Sequence, residues 1–152
     1  MNWQVIQRIL GLLLMMFSIT MLPPVGVSLI YADGTWRVFV YSFLFIIALG
    51  FFLFWPARRA KNDLRLRDGF LVVASFWLVL GMAGATPLWL SASPSMTLTE
   101  AVFESISGLT TTGATVLSGL DGLPEAILFY RQQLQWLGGM GIIVLAVAIL
   151  PM

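Results

Sequence analysis

Two long runs without a charged side chain constrain the fold more than any other feature of this sequence. Residues 9–32 and residues 38–57 contain no Asp, Glu, Lys or Arg. Each run is long enough to cross a hydrocarbon core of about 30 Å as a helix, which takes about 20 apolar residues. A single span must satisfy its backbone hydrogen bonds internally, so both runs are predicted to be transmembrane helices of an all-α membrane protein.

Composition narrows the possible functions further. The chain is 59% hydrophobic and 10% charged, which is far outside the range of soluble domains. It contains no cysteine and no histidine, so it lacks a disulfide framework, a thiolate metal site and the commonest general base. A net charge of +1 does not provide the concentrated basic surface that nucleic acids require. The lipid bilayer is therefore the expected partner, and neither a cofactor nor enzyme activity is predicted.

The first run contains a proline pair, Pro23 and Pro24, which predicts a kink or the end of a regular helix because proline removes a donor and crowds the preceding turn. The alternative for this run is a secretory signal peptide that starts after Arg8. Its length exceeds the usual apolar region of about 7–15 residues, and no A-x-A cleavage site follows. A membrane span is therefore favoured.

The orientation follows from the basic segment Arg58–Asp68, which contains more Lys and Arg than Asp. Short loops rich in Lys and Arg stay in the cytoplasm, so this segment and the N-terminus are predicted to be cytoplasmic. Binding of anionic lipid or docking of a soluble partner are the other interpretations of the same charges. A third span follows over residues 69–90, which places the polar loop Ser91–Ser95 outside, together with Asp33.

Glycines in the last two apolar runs predict helix contacts. Gly81 and Gly84 are three residues apart and share a helix face that another helix can approach closely. Gly138, Gly139 and Gly141 lie in the final run, where close packing is favoured and local flexibility is the alternative.

The stretch between the third and fourth apolar runs is the most informative one. Thr97 and Glu100 have the spacing of a capping box, which predicts a helix that starts there and runs to about Ser107, where Gly108 permits a break. About a dozen residues at about 1.5 Å each span only half of the hydrocarbon core. The helix is therefore predicted to enter the membrane from outside without crossing it.

The residues after this helix, Thr110–Thr115, form what we call the threonine segment. β-Branched residues favour an extended backbone, and Gly113 supplies a conformation that they resist. Extended backbone at membrane depth is tolerated only where protein buries it or where it lines a water-filled cavity. Backbone carbonyls that replace the hydration shell of an ion meet that condition, and those of Thr111, Thr112 and Gly113 are the candidates. An ordinary extracellular loop is the alternative.

The sequence SGLTTTGAT, with FES before it and LDGLP and FYRQQLQWLGGMGIIVLAVAILPM after it, resembles the first pore repeat of Trk-type bacterial potassium uptake proteins, the TrkH/TrkG family of the Trk/Ktr/HKT superfamily. The resemblance covers essentially the whole chain and is most specific from about Phe103 to Met152. It implies potassium uptake across the bacterial inner membrane, with a selectivity filter to which Thr110–Ala114 contribute one wall. In related plant transporters, glycine at the position of Gly113 accompanies potassium and serine accompanies sodium.

The resemblance also implies a domain organisation and partners. Residues 1–68 are expected to form a two-helix transmembrane hairpin with a cytoplasmic loop, and residues 69–152 the first membrane–pore loop–membrane repeat. The resemblance implies three further repeats later in a longer chain. This sequence stops within an apolar run at Pro151 and Met152, which predicts that it is a truncated N-terminal piece. The short sequence alone equally allows a homotetramer. By resemblance, the full-length protein is a homodimer with a cytosolic nucleotide-binding regulatory subunit, and potassium is its transported ligand.

Two further interpretations concern charge and function. Glu104 lies deeper than Glu100 in the predicted short helix, where a carboxylate needs a partner, and Arg131 is the cation within reach. These two residues are the candidate structural ion pair.

The alternative to a conducting pore is a membrane scaffold that uses the re-entrant loop only for packing, although a scaffold has no need of a strand that presents carbonyls.

Overall fold

The structure, a computed structural model, describes residues 3–59 and 66–149, and all of the regular secondary structure in these ranges is helical. No strand occurs in those two ranges, so the predicted all-α class is confirmed. The helices are α1 Trp3–Ile19, α2 Leu22–Tyr31, α3 Trp36–Ala57, α4 Leu66–Leu90, α5 Leu98–Leu109 and α6 Glu125–Ile149, with a short 3-10 turn at Leu120–Gly122.

Three segments of the described residues are long and apolar enough to cross a membrane, namely Trp3–Tyr31, Trp36–Ala57 and Leu71–Leu90. They correspond to the three predicted spans. The third helix itself begins at Leu66, a few residues before its apolar run. Of the basic segment, Arg58 lies with its guanidinium 4.0 Å from the centre of the Trp55 ring. Residues 60–65 lie outside the described residues, so the cytoplasmic loop stays a prediction.

The first span is interrupted at Thr20, just before the proline pair. The backbone N–H of Thr20 donates to Phe17 O at 3.0 Å, and its hydroxyl donates to the same oxygen at 2.6 Å. Pro23 and Pro24 then form part of the first turn of α2, where a missing N–H costs no hydrogen bond. The predicted interruption is confirmed, and it precedes the prolines because they start the next helix.

The first and third helices cross where two glycines meet. A Cβ atom at Gly11 would lie 2.8 Å from Gly50 O and 2.7 Å from Phe54 N, and one at Gly50 would lie 2.9 Å from Gly11 O. All three distances are too short for a real Cβ, so the backbones of α1 and α3 touch only because both positions are glycine. This crossing was not predicted from the sequence.

The glycine face of α4 packs against α5, as predicted. A Cβ atom at Gly81 would lie 2.7 Å from Ile106 Cγ1, and one at Gly84 would lie 2.5 Å from Ser105 Oγ. The fully buried Tyr130 then connects α6 to this pair: its hydroxyl donates to Gly84 O at 2.8 Å. Helices α4 and α6 thus both pack against α5, the helix that precedes the threonine segment.

Candidate functional site

The short helix α5 begins with the predicted capping box. The Thr97 N–H donates to Glu100 Oε2 at 2.8 Å, and the Glu100 N–H donates to Thr97 Oγ1 at 3.3 Å. The helix contains 12 residues, which corresponds to about 18 Å at 1.5 Å per residue. It is thus too short to cross a membrane, and the threonine segment starts where it ends.

The end of α5 differs from the prediction. The helix continues through Gly108 to Leu109, whereas the sequence predicted an end near Ser107. A Cβ atom at Gly108 would lie 3.1 Å from Leu134 Cβ. The absence of a side chain at Gly108 therefore serves the close packing of α6 against α5 and does not break the helix.

The helix is terminated by Thr111 in a left-handed conformation, with φ of +56°. The Thr111 N–H donates to Gly108 O at 2.9 Å and the Thr112 N–H donates to Ser107 O at 3.0 Å. This pair of bonds is a Schellman motif, which usually places glycine at the left-handed position. A β-branched residue there costs on the order of 1–2 kcal/mol. The expectation of an extended backbone is therefore wrong at Thr111, because the two bonds to α5 determine its conformation.

Gly113 adopts the conformation that the sequence predicted for it, with φ of +77°. A Cβ atom there would meet nothing within 4 Å, so the requirement for glycine at this position is conformational and not steric. Among the described residues, none donates a hydrogen bond to the carbonyl oxygen of Thr111, Thr112 or Gly113. These residues are also exposed on the surface of the chain. Three consecutive carbonyl groups thus belong to exposed residues and have no hydrogen-bond donor among the described residues.

The two ends of the predicted five-residue site are attached to α5. The Thr110 hydroxyl donates to Ile106 O at 2.7 Å and lies 2.8 Å from the Thr112 hydroxyl. At the other end, Ala114 O accepts a hydrogen bond from Ser107 Oγ at 2.6 Å. Part of the acceptor capacity of Ala114 is therefore used within the chain, in contrast to the three carbonyls before it.

The structure brings the two members of the candidate ion pair together. Arg131 Nη2 lies 3.1 Å from Glu104 Oε2, and Arg131 Nε donates to the same oxygen at 3.1 Å. Both side chains are largely buried, with 11% exposure for Arg131 and 2% for Glu104. The pair connects α5 to α6 directly behind the threonine segment.

The second carboxylate oxygen of Glu104 holds the end of that segment, which the sequence did not indicate. Glu104 Oε1 accepts hydrogen bonds from Val116 N at 2.7 Å and from the Thr115 hydroxyl. Arg131 Nη2 also donates to Thr115 Oγ1 at 3.1 Å. Glu104 thus binds Arg131 of α6 through Oε2 and the end of the threonine segment through Oε1.

Asp33, which the sequence analysis only placed outside the membrane, caps the N-terminus of α6. Its Oδ2 accepts a hydrogen bond from Ala126 N at 3.0 Å, and its Oδ1 accepts bonds from Thr35 and from the Ser28 hydroxyl. Burial raises the pKa of the Asp33 carboxyl, but the hydrogen bonds from Ser28, Thr35 and Ala126 outweigh that effect and lower its pKa below the ordinary value. The N-terminal helices are tied in this way to the helix that follows the threonine segment.

Of the three glycines in α6, Gly138 makes the close contact. A Cβ atom there would overlap the Leu109 carbonyl oxygen and lie 2.6 Å from its carbonyl carbon. For Gly139 and Gly141 the nearest atoms, Thr111 Cγ2 and Trp77 Cη2, would both lie 3.9 Å away. The packing interpretation therefore holds for Gly138, whose bare backbone lets α6 pass the end of α5.

The chain was compared with known protein families, proteins and solved structures. The family model described as a TrkH cation transport protein matches residues 36–152. The chain belongs to the TrkH family. Its residues are 60% identical to a Trk system potassium uptake protein TrkH of Halomonas elongata, over 99% of this chain and 31% of that protein. They are 40% identical to the Trk system potassium uptake protein TrkG of Escherichia coli, over 98% of this chain and 31% of that protein.

The crystal structure of the potassium transporter TrkH from Vibrio parahaemolyticus has the same fold. The two chains superpose with a TM-score of 0.95 at 56% identity, over 100% of this chain and 32% of the other. The present chain therefore spans about a third of the length of these TrkH-family proteins.

Proposed function

We propose that the chain takes part in potassium uptake and supplies one wall of a carbonyl-lined selectivity filter at Thr110–Ala114. The observation that carries this proposal is the run of carbonyl groups at Thr111, Thr112 and Gly113, which no described residue engages and which lies exposed after a half-membrane helix. A potassium ion that leaves water needs oxygen ligands in place of its hydration shell, and backbone carbonyls provide them.

A single chain of this length provides one wall, and a filter around an axis needs several. The relatives named as potassium uptake proteins are about three times longer, which supports further walls from later repeats of a longer polypeptide over a homotetramer of this chain. In this proposal residues 1–68 form the N-terminal hairpin and residues 69–152 form the first pore repeat. The full-length protein is a homodimer controlled by a cytosolic nucleotide-binding subunit.

The proposed location is the bacterial inner membrane, with a cytoplasmic N-terminus. Single cysteines at Ser93 and Asn62 test the orientation, because an impermeant thiol reagent labels only positions outside an intact cell. We expect labelling at position 93 and none at position 62. The reverse pattern would invert the topology and place the threonine segment on the cytoplasmic side.

The substitution Gly113→Ser in the full-length protein tests the filter. Serine at φ of +77° is strained by on the order of 1–2 kcal/mol, so the carbonyl is expected to turn away and a hydroxyl oxygen to take its place. Potassium preference over sodium should fall, and only in part, because the other walls are unchanged. The measurement is rubidium and sodium uptake, together with potassium-limited growth of an uptake-deficient bacterium.

Gly119 offers a matched control for this substitution. It has φ of +66°, and a Cβ atom there would also meet nothing within 4 Å, but it lies in the turn beyond the threonine segment. Gly119→Ser should therefore leave the ion preference unchanged. If both variants reach normal levels and Gly113→Ser also keeps the original preference, the filter proposal fails and the non-conducting scaffold is favoured.

A further inference from the structure

Ser107 of α5 contacts the threonine segment on both sides of Gly113. Its backbone oxygen accepts a hydrogen bond from Thr112 N at 3.0 Å, and its hydroxyl donates to Ala114 O at 2.6 Å. The residue is buried, with 6% exposure. The residues immediately before and after Gly113 are thus both attached to one residue of α5.

This arrangement matters because Glu104 and Arg131 hold the segment only beyond Gly113, at Thr115 and Val116. Residues 112–119 form no regular secondary structure, and residues 110–116 are exposed. Glycine has more conformational freedom than any other residue, so the carbonyl of Gly113 can turn unless its neighbours are fixed. The bonds to Ser107 fix the N–H of the preceding residue and the C=O of the following one. Gly113 is the one residue between those two fixed points.

We propose that Ser107 is a positioning residue that keeps the Gly113 carbonyl directed at the transported ion. The inference rests on the proposed function, because it assigns Ser107 a part in the same filter. It follows that removing the Ser107 hydroxyl releases Ala114 O while keeping α5 and the Schellman motif intact. The Gly113 carbonyl then samples several orientations, and discrimination between potassium and sodium decreases.

The chain contains a matched control on the same helix. Ser105 is fully buried, and its hydroxyl has no hydrogen-bond partner in the part of the chain that the structure describes. Ser105→Ala and Ser107→Ala are thus the same chemical change at two buried positions two residues apart. They differ in whether a hydrogen bond to the threonine segment is lost.

The experiment measures rubidium and sodium uptake by full-length Ser107→Ala, Ser105→Ala and Gly113→Ser, normalised to the amount of protein in the membrane. A typical hydrogen bond corresponds to a factor of about 2 to 10 in an equilibrium constant, so Ser107→Ala should lower potassium preference by about that factor. Ser105→Ala should leave it unchanged. The double variant Ser107→Ala/Gly113→Ser should show the preference of Gly113→Ser alone, because Ser107 acts through Gly113.

The outcomes separate this inference from the proposed function. If Gly113→Ser shifts the ion preference and Ser107→Ala does not, Ser107 has no positioning role and the filter proposal stands. The inference is also overturned if the two shifts multiply in the double variant, or if Ser105→Ala produces the same change as Ser107→Ala. If Gly113→Ser leaves the preference unchanged, the filter proposal itself fails.

Discussion

The crossing of α1 with α3 and the contact of α5 with α6 both bring two helix backbones close together, but they are stabilised differently. Gly11 and Gly50 meet directly, and the hydrogen bond from Gln7 Nε2 to Leu53 O at 3.1 Å lies at the edge of that contact. In the α5–α6 contact, Gly138 passes the end of α5, and the buried Glu104 and Arg131 form an ion pair between the same two helices.

The difference shows what each region requires. Apolar packing between small residues favours close approach, but it does not direct any particular group. Hydrogen bonds to a buried carboxylate are directional, and Glu104 uses them to hold Val116 and Arg131 at once. The α1–α3 crossing therefore contributes stability, whereas the α5–α6 contact also determines the shape of the threonine segment.

The largest effect is expected from breaking the Glu104–Arg131 pair. Glu104→Gln or Arg131→Gln alone leaves the other charge buried without its partner, at a cost of about 3–5 kcal/mol. The double variant should lose less than the sum of the two single losses. Thermal unfolding of the purified full-length protein in detergent gives the double-mutant cycle, and additive losses would show that the two residues do not interact.

The next effect concerns Gly138. A methyl group there overlaps the Leu109 carbonyl, so Gly138→Ala should destabilise the protein by about 1–3 kcal/mol or more and lower transport per molecule as the end of α5 moves. Gly139→Ala is the control, because its nearest neighbour would be 3.9 Å away. Equal unfolding temperatures and equal uptake rates for the two variants would contradict the close contact at Gly138.

The α1–α3 crossing should respond to the same kind of change without altering ion preference. Gly11→Ala forces the backbones of α1 and α3 apart and should cost about 1–3 kcal/mol. Gly26→Ala is the control, because a Cβ atom at Gly26 would meet nothing within 4 Å. It should stabilise α2 by up to about 1 kcal/mol. A changed rubidium-to-sodium uptake ratio in Gly11→Ala would show that the crossing also shapes the threonine segment.

The smallest effect is expected at Asp33. Asp33→Ala removes a cap from α6 and should cost about 1 kcal/mol at neutral pH. Because the pKa of Asp33 is lowered in the folded protein, its contribution is fully present above the unfolded value of about 3.9 and is lost as pH falls through the lower folded value.

Unfolding measured from pH 7 down to pH 3 tests the Asp33 prediction. The stability difference between the unsubstituted protein and Asp33→Ala should stay constant near neutral pH and shrink only below about pH 4. Asp33→Asn keeps the shape of the side chain without the charge, so it should lose less stability, and its difference from the unsubstituted protein should shrink over the same pH range. A difference that grows at low pH would contradict the assigned direction.

The sequence by itself determined the features that depend on neighbouring residues or on composition. Hydropathy gave the three spans, and the Thr97–Glu100 spacing gave the start of α5. The left-handed conformation of Gly113 was predictable because glycine is the residue that adopts it without strain. The candidate Glu104–Arg131 pair was found from the sequence because a carboxylate at membrane depth needs a partner and few cations are available.

The tertiary structure decided which residue performs a role when several qualify locally. Gly108 looked like a helix terminator, but packing against Leu134 keeps it helical and Thr111 takes the left-handed position instead. Likewise, nothing in the local sequence distinguishes Ser107 from Ser105. Their roles differ because the Ser107 hydroxyl contacts the threonine segment and the Ser105 hydroxyl does not. In the same way, Asp33 binds Ala126, which is distant from it in the sequence. Contacts between distant segments have no local pattern, so only the packed helices determine them.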